Sequence, residues 1–81
     1  MSNVIAVFKI YPKEEMLDKA LEQVKGMGPQ DVRTEDLAFG IKIIRAAFKF
    51  NDEESGSSKI EERLKGLDSV GEVEVEEETL L

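Results

Sequence analysis

Carboxylates are the most abundant side chains in this sequence that could perform acid–base or metal chemistry, because it holds 18 Asp and Glu residues but no Cys and no His. Without Cys and His the chain has no thiol nucleophile, no imidazole base and no zinc site of the usual ligands. The densest acidic runs are residues 52–54 and 76–78. Consecutive side chains diverge along a strand or loop, so neither run converges on one proton or one metal ion without a tertiary partner. We therefore expect solvated charge there, and no catalytic residue, metal or cofactor.

The charge of the chain is distributed unevenly. Residues 1–50 carry eight Lys/Arg and seven Asp/Glu, for a net charge of +1, whereas residues 51–81 carry three and eleven, for −8. An acidic surface repels phosphates, so the sequence predicts no direct nucleic-acid binding and no association with an anionic membrane. The first residues lack the basic charge and long apolar stretch of a secretory signal, which favours a cytoplasmic location.

In the first half of the chain, segments with the hydrophobic pattern of a β-strand alternate with a segment that has the pattern of an α-helix. Residues 3–10 and 41–50 are rich in β-branched residues and apolar on both faces, which predicts two central strands. Between them, residues 17–27 repeat apolar positions at helical spacing after Pro12, which predicts an amphipathic helix. Residues 31–37 alternate only weakly and predict an edge strand or an extended loop.

The second half repeats the pattern of helix and strand. Ser58 followed by Glu61 predicts a capping box at the start of a short helix, and Gly66 is expected to end that helix in the left-handed conformation. Residues 70–76 alternate valine and glutamate, which predicts a final strand with one acidic face.

The resulting order is strand, helix, strand, strand, helix, strand. It predicts an α+β fold of the ferredoxin-like βαββαβ class over residues 1–81 as a single domain, with a four-stranded antiparallel sheet in the order 4-1-3-2 and both helices on one face. On the opposite, open face, Lys9, Arg45 and Lys49 are expected to lie near the glutamates of the last strand. The predicted core comprises Val4, Phe8, Leu21, Val24, Ile44, Phe48, Leu64 and Val73.

One pentapeptide, residues 38–42 with the sequence Ala-Phe-Gly-Ile-Lys, places an aromatic residue and a glycine at the entry to a predicted central strand. A glycine at such a position usually marks a bulge or a close backbone approach. Taken alone, the physics of these residues favours a structural interpretation, in which Gly40 is a hinge beside a core phenylalanine, Phe39.

Together with residues 9–12, Lys-Ile-Tyr-Pro, and residues 70–75, Val-Gly-Glu-Val-Glu-Val, this pentapeptide resembles the archaeal translation elongation factor 1-beta family, also called the guanine nucleotide exchange domain family. The resemblance covers essentially the whole chain. It implies an exchange factor for elongation factor 1-alpha, the GTPase that carries aminoacyl-tRNA to the ribosome, acting without covalent chemistry. It also implies that Phe39, Gly40 and Lys42 lie in the contact surface with that GTPase.

The C-terminal residues depart from the family pattern. Eukaryotic relatives direct a lysine near the C-terminus toward the partner's magnesium and phosphate site, but here the last basic residue is Lys65. We expect instead that Leu80 and Leu81 pack against the GTPase as an apolar anchor. Two alternatives stay open: that residues 76–78 compete as magnesium ligands, or that the tail is dispensable.

A second function class also fits a ferredoxin-like sandwich, namely a regulatory domain that binds a small molecule. RNA recognition is disfavoured, because the expected centre of the open face, Ile5, Val7, Ile43 and Ala47, offers no aromatic ring for base stacking.

Overall fold

The computed structural model describes residues 3–51 and 56–80. The strands are β1 (Asn3–Pro12), β2 (Asp31–Asp36), β3 (Lys42–Asn51) and β4 (Val70–Leu80), and the helices are α1 (Leu17–Lys25) and α2 (Ser57–Lys65). All pairings are antiparallel, in the order β2-β3-β1-β4. This architecture confirms the predicted ferredoxin-like α+β fold, and the weakly alternating residues 31–36 prove to be its edge strand β2.

The core lies between the sheet and the two helices. The even-numbered residues of β1 and β3 share one face of the sheet, where they cluster with Ala20 and Val24 of α1 and Leu64 of α2. Phe8 and Phe48 meet edge to face with their ring centroids 5.8 Å apart. Of the eight predicted core residues, seven are buried, and Leu21 is half-buried against the same cluster. Both helices therefore cover one face, as the sequence predicts.

The predicted ends of α2 are wrong in detail. Gly56, not Ser58, is the N-cap, and no side chain caps the helix. Its first turn is closed instead by the backbone, where the N–H of Lys59 donates to the carbonyl of Gly56 at 3.1 Å. Gly66 has a right-handed φ of −77°, because its own N–H and that of Leu67 continue the helical hydrogen bonds and no left-handed residue is required.

Strand β4 changes its register with β1 part-way along. Val7 pairs with Glu77 and Phe8 with Val75, so Glu76 is the extra residue of a bulge. On the open face Arg45 reaches Glu76, with Nη2 to Oε1 at 2.7 Å, which confirms the expected contact between a β3 cation and the acidic strand. Lys9 lies directly opposite Glu74, as expected. Lys49 shares the open face but lies opposite Ile5, whose β4 partner is Thr79, so it is further along the sheet than the glutamates.

A smaller difference concerns the open face itself. Tyr11, at the end of β1, donates a hydrogen bond to Glu74 at 3.4 Å, so the face carries one aromatic residue that the sequence interpretation did not place there.

Among the described residues, no helix is long and apolar enough to span a membrane.

Candidate functional site

The pentapeptide forms a tight turn between β2 and β3. Phe39 has φ 63° and ψ 28°, and Gly40 has φ 74°. The N–H of Ile41 donates to the carbonyl of Ala38 at 3.4 Å, and the N–H of Leu37 donates to the carbonyl of Ile41 at 2.6 Å. These angles are those of a type I′ turn with Phe39 and Gly40 at its central positions.

The turn type suits Gly40 but not Phe39. A type I′ turn favours Asn-Gly, since the left-handed region costs most L-residues roughly 1–2 kcal/mol. The space around Gly40 is open, so its positive φ, and not crowding, requires glycine there. Phe39 bears this strain without packing against anything, because its side chain is 99% exposed.

The exposure of Phe39 overturns the structural interpretation of the pentapeptide. A hinge glycine beside a core phenylalanine requires a buried ring, and this ring projects from the tip of a hairpin. A strained residue that contributes nothing to the core is typical of a functional position. Ile41, which the sequence interpretation did not select, adds a second apolar side chain that is 53% exposed.

A groove lies beside the turn. Residues 40–42 form one wall, and residues 12–15 with Leu17 form the other, enclosing about 480 Å³. We call this surface the tip groove. Its loop wall is held by backbone hydrogen bonds, from Lys13 N–H to the Ser69 carbonyl at 2.8 Å and from Met16 N–H to the Lys13 carbonyl at 3.0 Å. Glu15 in that loop has φ 61°, so both non-glycine residues with positive φ in the described chain border the groove or its turn.

The predicted site residues do not all lie together. Phe39, Gly40 and Lys42 are at one end of the sheet, where Lys42 lies 3.9 Å from Asp36. Leu80 is 66% exposed and pairs with Val4 at the other end. Val4 and Pro12 are eight positions apart on β1, and this separation corresponds to roughly 27 Å along the strand. Leu81 lies outside the described residues.

The acidic run at residues 76–78 also separates in space. Glu76 turns to Arg45, Glu77 lies opposite Val7 of the open face, and Glu78 lies opposite Ala6 of the helix face. Within residues 3–51 and 56–80, no group of three or more carboxylates is placed to hold a metal ion.

The clearest pKa shift among the described residues belongs to Asp68, which lies in the loop before β4 and not in the turn. The hydrogen bond from Lys19, at 3.0 Å, is the main cause that lowers the pKa of Asp68 below its ordinary value, and a hydrogen bond from Gln23 at 3.1 Å adds to it. The hydroxyl of Ser69 donates to the side-chain oxygen of Gln23. This network ties α1 to the loop before β4, where the Ser69 carbonyl accepts the hydrogen bond from Lys13 of the groove wall. Its side chains do not line the tip groove.

Comparison with known proteins identifies the family. The model of the EF-1 guanine nucleotide exchange domain matches residues 5–81. The chain belongs to this family. Guanine nucleotide exchange in translation elongation is the activity of the EF-1 exchange domains.

Three relatives illustrate the extent of the similarity to the EF-1 exchange domains. Elongation factor 1-beta of Aeropyrum pernix is 36% identical, over 94% of this chain and 93% of the relative. The protein of the same name from Ignicoccus hospitalis is 33% identical, over 94% and 89%. That from Methanospirillum hungatei is 29% identical over 100% of both chains.

Proposed function

We propose that residues 1–81, acting as one exchange domain, promote GDP release and GTP loading on elongation factor 1-alpha. Membership of the EF-1 exchange family supports this function. The observation that carries the proposal is the exposed Phe39 ring on a strained turn. Phe39, Gly40 and Lys42 form the partner-binding surface at this end of the sheet.

The exchange mechanism requires differential binding and no covalent step. A protein that binds the nucleotide-free GTPase more tightly than the GDP-bound form must weaken GDP binding by the same factor, because the two equilibria are linked. A thousandfold faster release corresponds to about 4 kcal/mol of such a difference.

Phe39 has the properties of an anchor for this complex. Burying an aromatic side chain removes about 150–250 Å² from water, which at 25 cal/mol per Å² corresponds to about 4–6 kcal/mol before the costs of association. The turn is already closed by two backbone hydrogen bonds, so the ring is oriented before the partner arrives. Gly40 supports this orientation through its positive φ, and Lys42 begins β3 directly behind the turn.

The C-terminal leucines are proposed as a second apolar contact. Leu80 is exposed and lies at the far end of the sheet from Phe39, so one partner would have to extend along the sheet to touch both. Residues 66–81 contain no lysine or arginine, and the contact proposed for them is apolar packing.

A regulatory domain that binds a small molecule would have to use a second cavity, which is smaller than the tip groove. It measures about 210 Å³ on the open face and is lined by Arg33 and Arg45 among others. Both cations are held in ion pairs, Arg33 with Asp31 at 2.9 Å and Arg45 with Glu35 at 2.8 Å. A ligand carboxylate would therefore have to displace carboxylates of the protein itself, so we do not favour this function.

Release of fluorescently labelled GDP from elongation factor 1-alpha tests the proposal. We expect the chain to accelerate release in stopped-flow measurements and to leave unrelated GTPases unaffected. Phe39→Ala should raise the concentration needed for half-maximal acceleration while the domain stays folded. Val75→Ala is the matched control, since Val75 is another partly exposed apolar residue and lies on β4. Release that stays at its intrinsic rate with saturating wild-type protein would refute the function.

A further inference from the structure

Phe39 alone cannot account for the contact area of a specific complex. A buried phenylalanine contributes about 150–250 Å², whereas a specific interface buries about 800 Å² on each partner. The rest must come from surface that is continuous with the ring, because a partner that encloses Phe39 also covers the residues beside it. This reasoning rests on the proposed function, which assigns Phe39 to the interface.

The tip groove is the concave surface that is continuous with Phe39. Its wall of residues 40–42 directly follows Phe39 in the chain, and its volume of about 480 Å³ is enough to accept a large side chain. Pro12, Leu17 and Ile41 supply apolar lining. Both walls are held by backbone hydrogen bonds, so the groove exists before binding.

The charges around the groove suit a protein partner. Among the lining residues, Lys13 and Lys42 balance Glu14 and Glu15, and Asp36 beside Lys42 adds a further negative charge. No ion pair joins Lys13, Glu14 or Glu15 to another residue of the described chain, in contrast to the paired cations of the open face. A rim without net positive charge gives no preference for phosphate, and the net charge of −7 disfavours a second copy of the chain as the occupant.

We propose that the tip groove receives an apolar side chain of elongation factor 1-alpha while Phe39 inserts into that protein, so that the two contacts interlock in opposite directions. Ile41 is then a determinant of partner affinity, because its side chain lines the groove and lies two residues from the ring. If the apolar lining of the groove excludes water from the partner side chain, this contact contributes a large share of the binding energy for the area it buries.

Two substitutions at Ile41 distinguish a groove that is filled by the partner from a flat contact. Ile41→Ala removes part of the apolar lining of the groove, and Ile41→Trp places a larger side chain of the protein itself in the groove. If a partner side chain enters, we expect both variants to raise the concentration for half-maximal GDP release about tenfold. Because Ile41 is 53% exposed, both variants should stay folded at the temperature of the exchange assay, which a thermal melt checks, and Val75→Ala should leave the exchange curve unchanged.

Three results would overturn the inference. If Ile41→Trp exchanges as well as the wild type or better, the contact is flat. If Phe39→Ala is impaired while both Ile41 variants match the wild type, the exchange function stands and the groove has no part in it. If the chain sediments as a dimer that Ile41→Trp dissociates, the occupant is a second copy. A wild-type protein that fails to accelerate GDP release at all marks instead the failure of the underlying function.

Discussion

Replacing Phe39 with asparagine should stabilise the fold and weaken exchange in the same variant. Phe39 occupies a left-handed position that costs an ordinary L-residue roughly 1–2 kcal/mol, whereas asparagine tolerates it. The ring is 99% exposed, so removing it forfeits almost no packing within the domain. We therefore expect the free energy of unfolding to rise by about 1 kcal/mol, which corresponds to an increase in melting temperature of about 4–8 °C for a domain of this size.

Phe39→Ala provides the matched control for backbone strain. Alanine also lacks the ring but is strained at positive φ, so its free energy of unfolding should stay within about 0.5 kcal/mol of the wild type. Chemical denaturation of the wild type, Phe39→Asn and Phe39→Ala measures their free energies of unfolding. The three values can be compared directly if the slope of this free energy against denaturant concentration is the same in all three proteins. Both variants should need at least about tenfold more protein for half-maximal GDP release.

The stability ranking is the part of this prediction that depends only on the structure. An asparagine variant no more stable than the alanine variant would contradict the type I′ assignment. An alanine variant destabilised by more than about 1 kcal/mol would show that the ring packs against the domain, as a core phenylalanine does.

Three further outcomes can be measured on the same protein. Because the folded state lowers the pKa of Asp68, the contribution of this residue to stability is present above the ordinary Asp pKa and is lost as pH falls through the lowered value. In Asp68→Asn, the melting temperature should therefore fall less steeply with decreasing pH over this range. Leu80→Ser should reduce GDP release without changing the melting temperature, because Leu80 is 66% exposed and the substitution keeps the backbone pairing of β4 with Val4; full activity of this variant would exclude Leu80 as an anchor. Arg45→Gln and Glu76→Gln should show a coupling of about 0.5–1 kcal/mol in a double-mutant cycle, and strict additivity would indicate that their 2.7 Å contact adds no stability.

The strands and the core could be predicted from sequence because burial imposes a strict period. In β1 and β3, alternate residues must face the helices, so the side-chain pattern alone identifies Phe8, Ile44 and Phe48 as core. The turn at residues 38–41 could not be predicted in this way. Its geometry is imposed by closing the β2–β3 hairpin, and phenylalanine is not a residue that favours a type I′ turn.

The bulge at Glu76 and the cap of α2 were missed for a related reason. Both depend on how neighbouring segments meet, and the local sequence is compatible with more than one solution. Glu76 could have occupied a regular strand position, and Ser58 has the side chain of an N-cap but lies inside the first turn of α2. The tip groove is harder still to foresee, because its two walls come from loops about 25 residues apart in the chain.

Phe39 is expected to govern how tightly the GTPase is held rather than how fast it releases GDP once bound. Only binding energy that differs between the nucleotide-free and GDP-bound forms accelerates release, and energy common to both forms only tightens the complex. An uncharged ring does not interact directly with the charges of phosphate or magnesium, so its contribution should be nearly equal in the two forms. Phe39→Ala should therefore raise the concentration for half-maximal exchange and preserve the rate at saturation. By linkage, it should also weaken binding to the nucleotide-free and GDP-bound GTPase by the same factor. A lower saturating rate, with a larger loss of affinity for the nucleotide-free form, would instead place Phe39 among the residues that displace GDP.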